Sequence, residues 1–204
     1  MRPADPSDLR GIVEVYNHYI ENSAATFEVT PLDPEDRIEW FREHTSGGRY
    51  RIEVAADGSG SVVGWATTSP FRPRAAYVTT VEASVYCRPG FEGRGIGTRL
   101  YHALFESIRG EDIERVVAGV SLPNPASVRL HRRFGFERVG VFHRVGRKFG
   151  RYWDVAWFER PLRPEDGRHT ELRSRLPDSN RRPEDVHGGR RRSGSLTYSP
   201  PLYH

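Results

Sequence analysis

The sequence is poor in cysteine and lysine, and it contains no long run of apolar residues. Its single cysteine, Cys87, excludes an internal disulfide framework and favours a reducing, cytoplasmic setting. There is no stretch of about 18 apolar residues and no charged-then-apolar leader, so we expect neither a membrane span nor an export signal. Lys148 is the only lysine among 31 basic side chains, and this bias towards arginine indicates no chemistry by itself.

The positive charge is concentrated at one end of the chain. The formal net charge is +4, and residues 163–204 hold nine arginines against six acidic residues, so residues 1–162 are nearly neutral. A basic tail is not a basic binding face, and we therefore do not expect nucleic acid as a partner. The tail is also poor in apolar residues and is predicted to be disordered. The length then allows one domain, residues 1–162, followed by this Arg-rich tail.

Hydrophobic periodicity predicts a mixed α/β fold. Four helices are expected, the first beginning after Ser7 as its cap and the others over residues 33–44, 97–108 and 124–134. Gly135 is expected to end the last helix in a left-handed conformation. Strands are expected over residues 51–56, 61–68, 77–87, 115–122, 136–145 and 151–158. This order predicts a central mixed sheet with helices on its faces.

The stretch EGRGIG, residues 92–97, places three glycines directly before a predicted helix. The first N–H groups of a helix are unpaired and carry partial positive charge, so a glycine-rich turn between a strand and a helix forms a cradle for phosphate. An ordinary tight turn would use the same residues. Two other phosphate loops fit less well: Thr98 and Arg99 replace the Lys-Ser/Thr of nucleoside triphosphatases, and dinucleotide-binding folds need glycine or alanine at position 98.

The glycine loop and the downstream segment NPASVRLHRRFGF resemble the signature of the GNAT family of N-acetyltransferases. The sequence departs from it at Glu92, where the family has Gln or Arg, and we expect the neighbouring Arg94 to compensate. Four segments are similar, in the same order, to the phosphinothricin and methionine sulfoximine N-acetyltransferases: NHYIENSAATFE, SPFRPRAAYVTTVEASVY, GVSLPNPASVRLH and GRKFGRYWDVAWFERPL. The resemblance covers residues 1–162 and implies the GNAT fold, a mixed, mostly antiparallel sheet of six to seven strands flanked by about four helices.

The resemblance implies acetyl-CoA as co-substrate, with no metal. Main-chain groups of Val85 and Cys87 are expected to pair with the pantetheine arm. Asn124 is expected to hydrogen-bond the same arm, although a helix N-cap is an alternative role for it. The pyrophosphate is expected on the loop formed by Gly93, Arg94, Gly95, Ile96, Gly97 and Thr98.

Acetyl transfer to an amine needs a group that accepts a proton, and the resemblance implies Glu82 as this general base. A solvated charge on an exposed strand face is the alternative role for that carboxylate. His131 stands where many members of the family carry a tyrosine beside the CoA sulfur, so the resemblance implies that it donates a proton or orients a base; filling space is the alternative role. Cys87 has no dedicated partner base, which favours direct transfer over an acetyl-cysteine intermediate.

The acceptor that the resemblance implies is a small α-amino acid with a tetrahedral phosphorus or sulfur head. Phe27 is expected in the wall of its pocket. Arg72 and Arg74, with Tyr77, are expected to bind the carboxylate or the head group, because a guanidinium pairs bidentately with both.

The last loop resembles a segment that reaches a neighbouring active site, and it therefore implies a homodimer. Its candidate residues for acceptor binding are Lys148, Phe149 and Trp153. Two other functions stay open. One is a GNAT enzyme that acts on another small amine or on a protein N-terminus, and the other is a non-catalytic acetyl-CoA-binding module.

Overall fold

The computed structural model describes residues 1–44 and 47–163. The predicted disorder of the Arg-rich tail concerns residues that lie outside this described part. Within residues 1–44 and 47–163, no helix combines the length and the apolar character needed to cross a membrane.

A seven-stranded mixed sheet forms the centre of the fold and confirms the predicted architecture. Its strands are β1 (Arg2–Pro3), β2 (Ile52–Ala56), β3 (Val62–Pro70), β4 (Thr80–Cys87), β5 (Arg115–Leu122), β6 (Glu137–Lys148) and β7 (Arg151–Pro161). Their spatial order is β1-β2-β3-β4-β5-β7-β6, and neighbouring strands are antiparallel except for the parallel pair β4 and β5. The two-residue β1 was not predicted, because so short a strand has no periodicity.

Four α-helices flank the sheet: α1 (Leu9–Asn22), α2 (Ile38–Glu43), α3 (Ile96–Ser107) and α4 (Pro125–Arg133). Short 3-10 helices, Pro6–Asp8 and Glu35–Arg37, lead into α1 and α2. The prediction that Ser7 caps the first helix is wrong, because the Asp5 carboxylate accepts the Ser7 N–H at 2.9 Å and the Asp8 carboxylate accepts the Asp5 N–H at 2.8 Å. Gly135 has a φ of +77° and ends α4 in the predicted left-handed conformation.

The start of β4 corrects the strand predicted for residues 77–87. A 3-10 turn, Ala75–Tyr77, precedes it, and in this turn the Tyr77 N–H donates to the Arg74 carbonyl at 2.9 Å. β4 runs antiparallel to β3, with Pro70 opposite Val81, so the chain must reverse between these two residues. Tyr77, Val78 and Thr79 lie in this reversal, although their aromatic and β-branched side chains predict a strand.

Two apolar clusters hold helices on opposite faces of the sheet. One joins α3 to alternate residues of β4 and β5, and the other joins α1 to residues of β2 and β3. Side chains alternate across a strand, so Glu82, Ser84 and Tyr86 of β4 lie on the face that carries α1. β4 and β5 pair over only three residues each, 80–82 with 115–117. The opening beyond these residues positions the candidate site.

Candidate active site

The opening between β4 and β5 is a cleft of about 230 Å³, lined by residues 83–87 of one strand and 119–121 of the other. The Arg88 N–H donates to the Val63 carbonyl on β3 at 2.9 Å. Peptide groups alternate in direction along a strand, so those of Val85 and Cys87 point away from β3 and into the cleft. Tyr19 of α1 reaches the same place, where its hydroxyl donates to the Cys87 carbonyl at 2.7 Å. The cleft therefore presents a strand edge to an extended ligand.

The glycine loop lies at one end of the cleft and leads into α3. Gly93 and Gly95 have φ angles of +75° and +74°, a region that side-chain-bearing residues adopt only under strain. Gly97 packs against α4, since a Cβ there would lie 3.3 Å from Leu130 Cδ2. The first turn of α3 lines a further cavity, to which α4 contributes two arginines. Helix N–H groups and guanidinium groups around one cavity suit a phosphate-bearing anion.

The acidic residue of the loop is bonded to the backbone of its own turn. Glu92 Oε2 accepts the Gly90 N–H at 2.7 Å, and the side chain is exposed. The guanidinium of Arg94, which was expected to compensate, lies over the Phe91 ring at 4.9 Å from the centroid. The Glu92 carboxylate thus has a local partner, and its departure from the family signature is compatible with an intact loop.

A second pocket, of about 460 Å³, opens from the cleft on the α1 face of the sheet. It shares five wall residues with the cleft: Ala25, Ser84, Tyr86, Gly119 and Ser121. Glu82, Arg72 and Phe27 lie in its wall, which brings three of the predicted residues together. Burial raises the pKa of the Glu82 carboxyl, and the nearby charge of Arg72 offsets part of that rise. The pocket thus offers one acid and one cation beside the cleft; we refer to it as the acceptor pocket.

His131 forms a buried pair with Tyr101 of α3 at the wall of the cleft. The exposed fractions of the two residues are 3% and 0%. His131 Nδ1 lies 2.8 Å from the Ser127 carbonyl oxygen, so this nitrogen carries the proton and Nε2 accepts the Tyr101 hydroxyl at 2.9 Å. Burial lowers the pKa of His131 and raises that of Tyr101 well above its ordinary value. Both groups are therefore neutral at neutral pH.

This geometry bears on the roles predicted for His131. A neutral imidazole with both nitrogens hydrogen-bonded is poorly suited to donate a proton to a leaving thiolate. The bond to Tyr101 gives His131 a partner within the cleft wall. Tyr101 was not predicted to lie at the site, although an aromatic hydroxyl directly after the apolar Leu100 was a usable signal.

The Cys87 thiol lies where the cleft meets the glycine loop. Burial, with a smaller effect from the Glu92 charge, raises the pKa of Cys87 to about 11, and the Gly97 N–H opposes this rise. The thiol is therefore protonated near neutral pH and is a weak nucleophile. In the described part of the chain, no three His, Cys, Asp or Glu side chains come together to hold a metal.

Arg74 and Tyr77, predicted to bind the acceptor, do not line the acceptor pocket. Arg74 directly precedes the 3-10 turn Ala75–Tyr77, and Tyr77, predicted as the first residue of the strand, ends this turn and lines a separate apolar cavity. Arg72 lines both cavities, so the FRPR segment contributes one arginine to the acceptor pocket instead of two.

The three residues predicted at the last loop also lie outside the acceptor pocket. The Lys148 ammonium is buried within its own chain, where it donates to the carbonyls of Tyr19, Ser23 and Thr26. Trp153 Nε1 donates to the Lys148 carbonyl at 3.0 Å, so it also bonds within the hairpin. Phe149 is exposed at the hairpin tip. The polar groups of Lys148 and Trp153 are therefore bonded within their own chain.

Four aromatic residues in the wall of the acceptor pocket were not predicted. Tyr16, Tyr86, Phe142 and Trp157 come from four different elements, and no local sequence pattern unites them. One signal was present: Gly119 interrupts a Val-rich strand, and a Cβ there would lie 3.6 Å from the Trp157 ring. A side chain at this position would thus stand in van der Waals contact with the aromatic ring on the neighbouring strand.

Three comparisons place this chain among known proteins. The model of the acetyltransferase (GNAT) family matches residues 12–136. The chain is 50% identical over 163 residues to a phosphinothricin N-acetyltransferase of Streptomyces coelicolor, which covers 79% of this chain and 95% of that protein. It is 40% identical to an L-methionine sulfoximine/L-methionine sulfone acetyltransferase of Pseudomonas aeruginosa, with 80% and 95% covered. A phosphinothricin acetyltransferase from Sinorhizobium meliloti, solved in complex with AcCoA, aligns with a TM-score of 0.75 at 36% identity, with 81% and 92% covered.

Proposed function

The chain belongs to the acetyltransferase (GNAT) family, and we propose that it transfers the acetyl group of acetyl-CoA to the α-amino group of a small amino-acid analogue. Phosphinothricin, methionine sulfoximine and methionine sulfone are the proposed acceptors, since the relatives from Streptomyces and Pseudomonas carry these names. One observation carries the proposal: the acceptor pocket holds Glu82 and Arg72 and opens into the cleft beside the glycine loop. Such enzymes would confer resistance to phosphinothricin-type antibiotics or herbicides.

The residues around the cleft fit acetyl-CoA, which would supply an acetyl thioester there. Main-chain groups of Val85 and Cys87 would bind the pantetheine arm as an added strand does, and Asn124 lines the same cleft. Asn124 Oδ1 also accepts the Ser127 N–H at 3.1 Å, so it caps α4 as well. The loop of residues 93–98 would bind the pyrophosphate, and its cavity includes Arg129 and Arg133 as further phosphate ligands.

Glu82 is the proposed general base. An amino-acid acceptor arrives as an ammonium ion, and Glu82 would accept its proton, directly or through a water, to leave an uncharged amine. Burial raises the pKa of this carboxyl, which brings the base closer to the operating pH. Arg72, in the same wall, would bind the acceptor carboxylate and so orient the amine towards the cleft. The nitrogen would then bond to the acetyl carbon as the bond to sulfur breaks, and the proton that the nitrogen loses would pass to the departing thiolate to give free CoA thiol.

Transfer is proposed to be direct, without an acetylated enzyme. The Cys87 thiol, with its pKa raised to about 11, is protonated at neutral pH and is not a competent nucleophile. His131 and Tyr101 are proposed to shape the cleft wall as a neutral pair. They would hold the wall in place without gaining or losing a proton.

We also propose that the protein is a homodimer. Large apolar side chains are exposed along the β6–β7 hairpin, and β6 is the edge strand of the sheet: Val139, Phe142, Val145, Phe149 and Tyr152. An apolar face beside an unpaired edge favours association, and a second copy offers the same edge in return. Val139→Glu is expected to shift sedimentation from dimer to monomer; a wild-type protein that sediments as a monomer at high micromolar concentration contradicts this.

The catalytic domain is proposed to comprise residues 1–162 and to act in the cytoplasm. β7 ends at Pro161, and Leu162 still packs against the core of the sheet. The cytoplasmic location is supported by the single cysteine, which lies in the cleft as a free thiol.

The proposed acceptor is tested by measuring thiol release from acetyl-CoA with a panel of amines. The panel contains phosphinothricin, methionine sulfoximine, methionine sulfone, simple amines and short peptides with free N-termini. We expect saturable turnover of the phosphorus and sulfur amino acids. Turnover confined to simple amines or peptides would assign another acceptor, and acetyl-CoA binding without any turnover would indicate a non-catalytic module.

A further inference from the structure

The only lysine of the chain is a buried cation at the end of α1. Lys148 is 5% exposed, and its ammonium lies 2.8 Å from the Ser23 and Thr26 carbonyl oxygens and 3.3 Å from that of Tyr19. An ammonium has three N–H donors, so these three carbonyls satisfy it fully. Tyr19 belongs to the last turn of α1, whose carbonyl end carries partial negative charge, and Ser23 and Thr26 follow the helix, so the ammonium lies where a buried cation is compensated.

The three carbonyls belong to a segment that shapes both cavities. Tyr19 and Ala25 line the cleft, and residues 24–27 form part of the acceptor pocket. Lys148 itself ends β6, more than 120 residues further along the chain. Its ammonium therefore ties the tip of the β6–β7 hairpin to the loop of residues 23–27.

A second contact joins the same two elements. Gly146 of β6 lies directly under the Phe27 ring, and a Cβ at Gly146 would come within 2.3 Å of two ring carbons. Only a residue without a side chain fits so close to the Phe27 ring in its present position. Phe27 is thus placed by the hairpin below it and by the loop that Lys148 holds.

We propose that Lys148 is a positioning residue that fixes the loop of residues 23–27 on the hairpin and thereby sets the shape of the acceptor pocket. The hairpin then acts within its own subunit, through backbone carbonyls, and determines how closely an amino-acid side chain is enclosed by Phe27. This proposal rests on the proposed function, because it names a residue that prepares the acceptor pocket. When these hydrogen bonds are removed, it predicts weaker acceptor binding and little change in acetyl-CoA binding, because residues 24–27 line the acceptor pocket whereas Tyr19 stays held in the last turn of α1.

Kinetics separate positioning from a general structural role. Lys148→Met keeps the length and apolar stem of the side chain but removes the ammonium, and Gly146→Ala displaces Phe27 while leaving Lys148 intact. Arg147→Met is the matched control, because Arg147 is an exposed neighbouring cation whose guanidinium lies near the Tyr152 ring, outside both cavities. Lys148→Arg retains a charged donor and is expected to restore part of the loss.

For Lys148→Met and Gly146→Ala we expect the KM of the amino-acid acceptor to rise about tenfold or more, which corresponds to roughly 1.4 kcal/mol. The KM of acetyl-CoA is expected to stay within about twofold, and Arg147→Met to leave both values unchanged. An equal rise of both KM values, or no change in either, overturns the proposal.

A measurement without substrate keeps this test independent of the proposed function. Hydrogen–deuterium exchange of the segment 19–28 is expected to accelerate in Lys148→Met and not in Arg147→Met. Unchanged exchange overturns the proposal, even if the variant is less active. If the wild-type protein acetylates no amino acid but exchange accelerates in Lys148→Met as expected, Lys148 does hold the loop of residues 23–27, and the proposed acceptor is wrong.

Discussion

The buried pair of Tyr101 and His131 allows a prediction in which stability and catalysis separate. Tyr101→Phe keeps the ring but removes the hydroxyl that His131 Nε2 accepts at 2.9 Å. The nitrogen is then a buried acceptor without a partner, at a site where the two residues are 0% and 3% exposed. Such a loss costs about 1–3 kcal/mol. For a domain of this size, each kcal/mol lowers Tm by about 2–4 °C, so Tm should fall by about 2–12 °C.

The assay is thermal unfolding as a function of pH, with acetyl transfer measured in parallel. Burial lowers the pKa of His131, while the unfolded chain keeps the ordinary value near 6.5. As pH falls below that value, the unfolded state binds a proton that the folded state does not. The free energy of unfolding therefore decreases as the solution becomes more acidic. The loss should be absent in His131→Leu. The double variant Tyr101→Phe/His131→Leu should be less destabilised than the sum of the single variants, because it leaves no unpaired Nε2.

The kcat of Tyr101→Phe shows whether this pair is a neutral part of the cleft wall or transfers a proton during the reaction. We expect kcat of Tyr101→Phe to stay within about tenfold of the wild-type value, since the hydroxyl is committed to His131. A loss of more than about a hundredfold in kcat with unchanged Tm would refute the reasoning, because general acid catalysis contributes effects of that size.

Two shorter predictions concern the glycine loop and the thiol. Cys87→Ala should retain at least about a third of kcat, because the protonated thiol takes no part in direct transfer; recovery of an acetylated Cys87 peptide by mass spectrometry would contradict this. Gly95→Ala should raise the KM of acetyl-CoA several-fold and leave the acceptor KM unchanged, since a residue with a side chain costs about 1–2 kcal/mol at a φ of +74°. Initial-rate kinetics with both substrates varied would detect any other pattern.

Much of the fold was predictable because its signals are local. Alternation and β-branched residues gave β2, β3, β5 and the β6–β7 pair, and the glycines with their positive φ angles marked the loop before α3. Asn124 and Gly135 marked the two ends of α4. The resemblance to the GNAT family, carried by separated segments in order, is confirmed by the family match and the curated relatives.

The contents of the acceptor pocket were less predictable, because they depend on tertiary contacts. Glu82 and Arg72 lie in the wall of the same pocket, but Tyr77 lies in a turn that its β-forming side chain did not indicate. Lys148 was read as an outward-reaching cation, whereas three carbonyls from more than 120 residues earlier bind it. A sequence pattern shows which residues are polar, but it does not show which carbonyls a fold leaves unpaired.

The central claim is that Glu82 accepts the proton of an amino-acid acceptor, and Glu82→Gln tests it most directly because it keeps the shape of the side chain. The measurement is the pH dependence of kcat/KM for phosphinothricin and methionine sulfoximine in both proteins. Because burial raises the pKa of Glu82, the wild-type rate should fall on the acid side at a pH above the ordinary carboxyl range. The variant should lose about 10²- to 10⁴-fold in activity, together with this acid limb, at unchanged acetyl-CoA affinity. A variant that retains more than about a tenth of the activity, with the same acid limb, would contradict the account.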